Sequence, residues 1–233
     1  MLLAELLAAS DRVAATRRRL AKIDELAQCL RRLEPSEIAL GVAYLSGDTR
    51  QGRIGIGYAT LKEARAATRA SSPRLTLAQV DEALANISQT KGEGSAAERQ
   101  RLLAELFARA TAPEQDFLAR LLLGELRQGA LEGIMFDAIA KAADLPPERV
   151  RAAAMRAGGL AAVATAALTE GEKGLERFVL KVFQPVQPML AQPAEGVPTR
   201  WSASAPRPSN GSSTARACRR TSRAKRSAST RAA

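Results

Sequence analysis

The stretch LGELRQGALEG, Leu123 to Gly133, repeats a phrase written earlier in the chain as LSGDTRQGRIG, Leu45 to Gly55. In each, a glycine and an acid (Gly47-Asp48, Gly124-Glu125) precede Arg-Gln-Gly (Arg50-Gln51-Gly52, Arg127-Gln128-Gly129), and a branched aliphatic residue follows two positions on. Each copy ends one helical pattern and opens another: YATLKEARAAT follows the first, LEGIMFDAIAKAA the second. A repeat at this spacing fits duplication of a helix pair.

Working outward from the repeats, the body reads as helix. Val13, Leu20, Ile23, Leu26 and Leu30 fall at three-, four- and seven-residue steps, and Leu102, Leu103, Leu106 and Phe107 do the same. Three helix starts carry the spacing of a capping box, in which the first side chain and the one three residues later satisfy each other's backbone donors: Thr76 with Gln79, Ser95 with Glu98, Thr111 with Glu114. Another helix is predicted to begin after Pro146-Pro147, where a missing N–H costs little in the first turn. The run RIGIGY, Arg53 to Tyr58, alternates as a strand would, but its glycines have nothing to pack. The fold expected is all-α, about ten helices joined by glycine turns.

Composition bounds the function. The chain has 233 residues, 46% hydrophobic and 3% aromatic, which suits one globular domain with an Ala/Leu-rich core and an appendage. No apolar run is long enough to span a bilayer, and MLLAELLAASDR carries acid where a signal peptide carries base, so a cytoplasmic protein is expected, with no membrane partner. The two cysteines, Cys29 and Cys218, sit in very different surroundings and argue neither a disulfide framework nor a zinc site. Histidine is absent, which removes Ser-His-Asp and Cys-His nucleophiles and imidazole acid-base chemistry. The net charge of +11 divides unevenly: residues from Pro198 onward hold nine Lys/Arg and no acid, leaving residues 1–197 near balance at +2. Any DNA affinity of the folded part must therefore come from where its arginines sit, not from bulk charge.

The doubled turn has the chemistry for that. Glycines let a backbone approach a partner closely, free N–H groups at a helix start favour an anion, and an arginine fork suits phosphate. The alternative, a turn that only caps one helix and starts the next, stays open on pattern alone. Arg17, Arg18 and Arg19 are consecutive on a helix, point in different directions and read as a solvated face.

Four segments, VAATRRRLAKIDELAQCLRRL, VAYLSGDTRQGRIGIGYATL, LLLGELRQGALEGIMFDAIAKAADLPPERVRAAAMRAGGL and FQPVQPMLAQPA, resemble in order the helical DNA-binding domain that precedes the adenylation domain in bacterial ATP-dependent DNA ligases of three-domain layout. The resemblance implies a helical domain over residues 1–184 with an internal pseudo-twofold, a linker over 185–197 toward an adenylation domain, and an oligonucleotide-binding domain beyond it. It implies that both turns lie against the minor groove around a nick and touch phosphates of duplex DNA. By position, Arg50, Gly52, Arg53 and Gly55 would form the first loop, and Arg127, Gly129 and Leu131 the second. The complete enzymes of this family use ATP and Mg²⁺ to seal nicks in replication, repair and recombination, through enzyme-AMP, DNA-adenylate and phosphodiester formation.

The sequence departs from that family where the nucleophile is expected. A Lys-x-Asp-Gly motif should follow PMLAQPA within a few tens of residues, and it does not appear. This chain is therefore expected to bind DNA and not to ligate by itself, with no catalytic residue and no metal site of its own. The text from Pro198 to Ala233 is rich in Ser, Arg and Ala and is expected to be disordered by composition. Back-translated with GC-rich codons and read one base earlier, Ser209 to Ala215 becomes Val-Glu-Trp-Lys-Leu-Asp-Gly. The same shift turns AKRSAST into EEVRVYT. The tail is accordingly expected to be out of frame from near Val197, the alternative being a genuine basic tail that binds nucleic acid. A helical protein-interaction scaffold with no DNA affinity is the remaining alternative.

Overall fold

The computed structural model describes residues 1–52, 54–65, 69–126 and 132–180. Among them are ten helices and no strand: α1 (Leu3–Ala15), α2 (Arg19–Arg31), α3 (Ile38–Ser46), α4 (Tyr58–Arg65), α5 (Leu77–Gln89), α6 (Ser95–Ala108), α7 (Ala112–Leu123), α8 (Glu132–Ala143), α9 (Pro147–Ala157) and α10 (Leu160–Glu176). The all-α expectation holds. Residues 54–57 of the alternating run form no ladder. The linker and tail, including Trp201 and Cys218, lie outside the described residues.

The apolar periodicity becomes one core. Leu3, Leu6 and Val13 of α1, Leu26 and Leu30 of α2, Leu103 and Phe107 of α6 and Met135 and Ile139 of α8 all lie in it, essentially without exposure. Leu20 departs from its pattern and is 74% exposed. It stands in the first turn of α2, where Arg19 already reaches the carbonyl of Gly133 at the start of α8, so no further turn of that partner covers it. Arg19 also departs from the solvated-face reading, since it pairs with Asp137 of α8 at 2.6 Å, while Arg17 and Arg18 are exposed. At the other end of α2, Arg31 donates to the carbonyls of Lys141 and Ala142, satisfying the open end of α8 with a cation.

Of the expected capping boxes, Thr76 with Gln79 forms in full, each side chain engaging the other's backbone N–H at 3.2 Å. In the Thr111 box, Glu114 reaches back to the Thr111 N–H at 2.8 Å and also accepts from the Thr111 hydroxyl. The Ser95 box does not form. Gly94, at φ +77°, precedes the helix and its carbonyl accepts from the Glu98 N–H, while the Glu98 carboxylate turns to Arg101. A left-handed residue that only glycine adopts cheaply thus sets the start one position earlier than the serine does. Pro147 opens α9 as expected. The last helix, α10, is broken at Gly171, and a Cβ on Gly174 would stand 2.5 Å from the carbonyl oxygen of Ala166, so the chain folds tightly on itself there.

Candidate nucleic-acid interface

The two copies of the turn begin identically. At the end of α3, Gly47 is left-handed (φ +83°), its N–H donates to Tyr44 at 3.2 Å, and the Asp48 N–H donates to Ala43 at 2.9 Å. At the end of α7, Gly124 is left-handed (φ +69°), its N–H donates to Leu121 at 3.1 Å, and the Glu125 N–H donates to Arg120 at 2.8 Å. These paired bonds are the closure that satisfies the last carbonyls of a helix when a left-handed residue follows it. The repeated glycine-acid pair is thus explained by backbone geometry alone.

What the repeat places in space goes further. The two turns touch: a Cβ on Gly47 would stand 3.3 Å from the carbonyl oxygen of Leu126 and 3.5 Å from its Cβ. Together they line one cleft, with Thr49, Gly52, Ile54 and Gly55 from the first and Leu123 and Gly124 from the second. Asp48 also lines it. Gly52 (φ +63°) and Gly124 have no atom within 4 Å of where a Cβ would stand, so their faces are open to a partner. Among the described residues, the N–H groups of Ile54, Gly55, Ile56 and Gly57 donate to no backbone carbonyl, and they lead directly into the start of α4. Uncommitted N–H groups at the positive end of a helix favour an anion.

Of the residues expected in the first loop, Gly52 and Gly55 line this cleft and Arg50 does not, while Arg53 lies outside the described residues, as do Arg127, Gly129 and Leu131 of the second. Arg50 is not free. It pairs with Asp81 of α5 at 3.4 Å, and the Gln51 amide beside it donates to the same carboxylate at 2.9 Å and to the Asp81 carbonyl at 3.2 Å. Beneath them lies the Tyr44 ring, fully buried, with its phenol pushed well above the usual range by burial and, secondarily, by the Asp81 charge. The first turn is therefore latched to α5.

Three residues on this surface escaped sequence reasoning. Arg99 of α6 gives its Nε and Nη2 to the Thr90 carbonyl, at 3.0 and 2.7 Å, and its Nη1 would stand 3.7 Å from a Cβ on Gly55. Tyr58 is 73% exposed at the start of α4, and with Lys62 one turn on it lines a groove that shares Leu123 with the cleft. No group of three metal-ligating side chains is found among the described residues. No helix among them is long and apolar enough to cross a membrane.

Comparison with known proteins places this arrangement. Residues 58–140, which include α4 and the second turn, match the family described as DNA ligase N terminus. A probable DNA ligase of Anaeromyxobacter sp. (strain Fw109-5) is 54% identical over 198 residues, covering 84% of this chain and 38% of that protein. One of Anaeromyxobacter dehalogenans (strain 2CP-1) is 58% identical over 199 residues, covering 84% and 39%, and one of Sorangium cellulosum (strain So ce56) is 51% identical over 203 residues, covering 87% and 38%. The chain thus spans about two-fifths of the length of these relatives. An all-helical body with the turn written twice, 51–58% identical to these probable DNA ligases along most of its length, makes the chain a relative of DNA ligases, with its match to the DNA ligase N terminus at residues 58–140.

Proposed function

We propose that the helical body grips nicked or continuous duplex DNA through its phosphate backbone, using the cleft between the paired turns. The observation that carries this reading is the convergence of two equivalent turns, with open glycines and uncommitted N–H groups, on one surface. Arg50, Gly52, Arg53 and Gly55 act from the first turn and Arg127, Gly129 and Leu131 from the second, with Arg99, Tyr58 and Lys62 extending the surface. Contacts of this kind position a duplex without reading its bases, so sequence preference is slight and affinity falls steeply with salt. The Asp81 carboxylate competes with phosphate for Arg50, so binding at this turn includes a partner exchange.

Within a longer ligase the domain would hold the nick while an adenylation domain and an oligonucleotide-binding domain act with ATP and Mg²⁺, in the cytoplasm, in replication, repair and recombination. The Lys-x-Asp-Gly nucleophile is not written in this sequence. We read the tail as a displaced frame beginning near Val197, because the one-base shift that turns Ser209 to Ala215 into Val-Glu-Trp-Lys-Leu-Asp-Gly also turns AKRSAST into EEVRVYT. Resequencing the codons of residues 190–233 in all three frames decides between a displaced frame and a real tail.

The test of the binding reading is the affinity of the 233-residue chain for a nicked duplex as salt is varied. Arg127→Ala is expected to weaken binding and to reduce the slope of log K against log salt by roughly one ion. An unchanged slope in a folded variant sinks the assignment. The nine basic residues beyond Pro198 favour a second reading, in which the tail binds DNA. Under that reading, deleting residues 198–233 abolishes binding and Arg127→Ala leaves it intact.

A further inference from the structure

A second basic concavity lies between the segment leading into α5 and the corner joining α6 to α7. The Ala70 N–H donates to the Ala110 carbonyl at 3.1 Å and ties the two together. The cleft is lined by Ser71, Ser72, Arg74, Gln79 and Arg109, with the buried Leu75 among them. Every polar side chain in that set can donate a hydrogen bond, and none is a carboxylate. Gln79 has its amide oxygen committed to the Thr76 N–H, which leaves its NH₂ to face outward as a donor.

The two arginines stand apart from most others in the body. Arg12, Arg19, Arg32, Arg65, Arg101 and Arg151 each hold a carboxylate. Arg74 and Arg109 side chains hold neither a carboxylate nor a carbonyl among the described residues, and Arg69 adds a third cation just before Ala70. An adjoining groove that shares Gln79 and Arg109 is also lined by Glu82 and Glu105; Glu105 is taken by Arg101, and Glu82 forms no ion pair among the described residues. Two guanidinium groups facing one concavity without an internal counter-charge repel each other, and a bound anion with several acceptor oxygens relieves that repulsion while engaging both forks.

We propose that this cleft is a phosphate-binding site, with the phosphate oxygens held between Arg74 and Arg109 and supported by the Ser71 and Ser72 hydroxyls and the Gln79 amide. It is separate from the paired turns. Gln79 and Asp81 are two positions apart on α5, roughly 200° around the helix, so the site lies across α5 from the Asp81 latch. The phosphate is either a phosphodiester of duplex DNA reaching beyond the paired turns or the phosphate of a small molecule.

The experiment is arginine modification of the 233-residue chain by phenylglyoxal, read residue by residue by peptide mass spectrometry. Inorganic phosphate is compared with chloride at matched ionic strength, and then a nicked duplex is added. Phosphate is expected to slow modification of Arg74 and Arg109 several-fold while leaving the exposed Arg17 and Arg18 unchanged, and Arg109→Gln is expected to abolish the protection of Arg74. Protection by duplex as well assigns the site to the DNA backbone; protection by phosphate alone assigns it to a small phosphorylated ligand. Equal rates in phosphate and chloride, or slowing of Arg17 and Arg18 to the same degree, overturn the proposal. The paired-turn reading is tested separately, by the effect of Arg127→Ala on the salt slope of nicked-duplex binding.

Discussion

Alanine at the two equivalent glycines should be unequally costly, and the inequality measures the contact between the turns. Both Gly47 and Gly124 are left-handed, so each alanine incurs the same kind of penalty, roughly 1–2 kcal/mol, offset by about 0.4–1 kcal/mol from a stiffer unfolded chain. For Gly124, with no atom within 4 Å, that is all, and Gly124→Ala should destabilise by about 1 kcal/mol. For Gly47 the new methyl meets the Leu126 carbonyl oxygen at 3.3 Å, a backbone atom that cannot rotate away. Crowding of this sort adds about 1 kcal/mol, so Gly47→Ala should cost about 2 kcal/mol. Urea unfolding followed by far-UV circular dichroism gives both values. Asparagine, which tolerates the left-handed region, separates the causes: Gly124→Asn should recover most of the loss and Gly47→Asn should not, because it still carries a Cβ. Equal losses for the two alanines, or full recovery by Gly47→Asn, would refute the contact between the turns.

Asp81→Asn should bind a nicked duplex about two- to five-fold more tightly, the equivalent of removing one exposed ion pair that competes with phosphate for Arg50, while still offering Gln51 an acceptor. Unchanged or weaker binding in salt titrations would mean that the latch does not compete with DNA. Burial pushes the Cys29 thiol up to about 11 from its ordinary 9.0. A raised thiol pKa stabilises the fold fully below the unfolded value and loses that contribution as pH rises through the folded one. Relative to Cys29→Val, the parent chain should therefore lose roughly 2–3 kcal/mol between about pH 9 and 11, measured by urea unfolding at each pH. A flat difference over that range would show that the thiol is not buried in this way.

Helices, turns and caps that depend on neighbours in sequence were legible beforehand. The periodicity of Leu26 and Leu30 needs only the helix repeat, Pro147 only its missing N–H, and Gly47 and Gly124 only their place after an apolar run. What sequence could not supply was the partner across the chain. Arg50 reads as a free phosphate ligand until Asp81 is seen beside it, Arg19 as a solvated charge until Asp137 is, and Leu20 as core until the start of α8 is located. Ser95 failed for a local reason, because Gly94 offered the backbone a left-handed start that the Ser-x-x-Glu spacing does not encode. Arg99 carried no signal at all, since its approach to Gly55 depends on how α6 crosses the first turn.

The contact between Gly47 and Leu126 also bears on how such a chain can change over generations. A duplicated segment ordinarily frees one copy to drift, yet here each copy is part of the other's surroundings. The helices interleave in the same way: α2, from the first half, is fastened to α8, from the second, through Arg19 and Asp137, Arg31 and the Lys141 carbonyl, and Asp24 and Lys141. A cut at the Lys91–Gly94 loop would therefore yield two fragments that each lack a wall of their own core, not two small domains. The two turns are not independent, and a change in one is felt by the other.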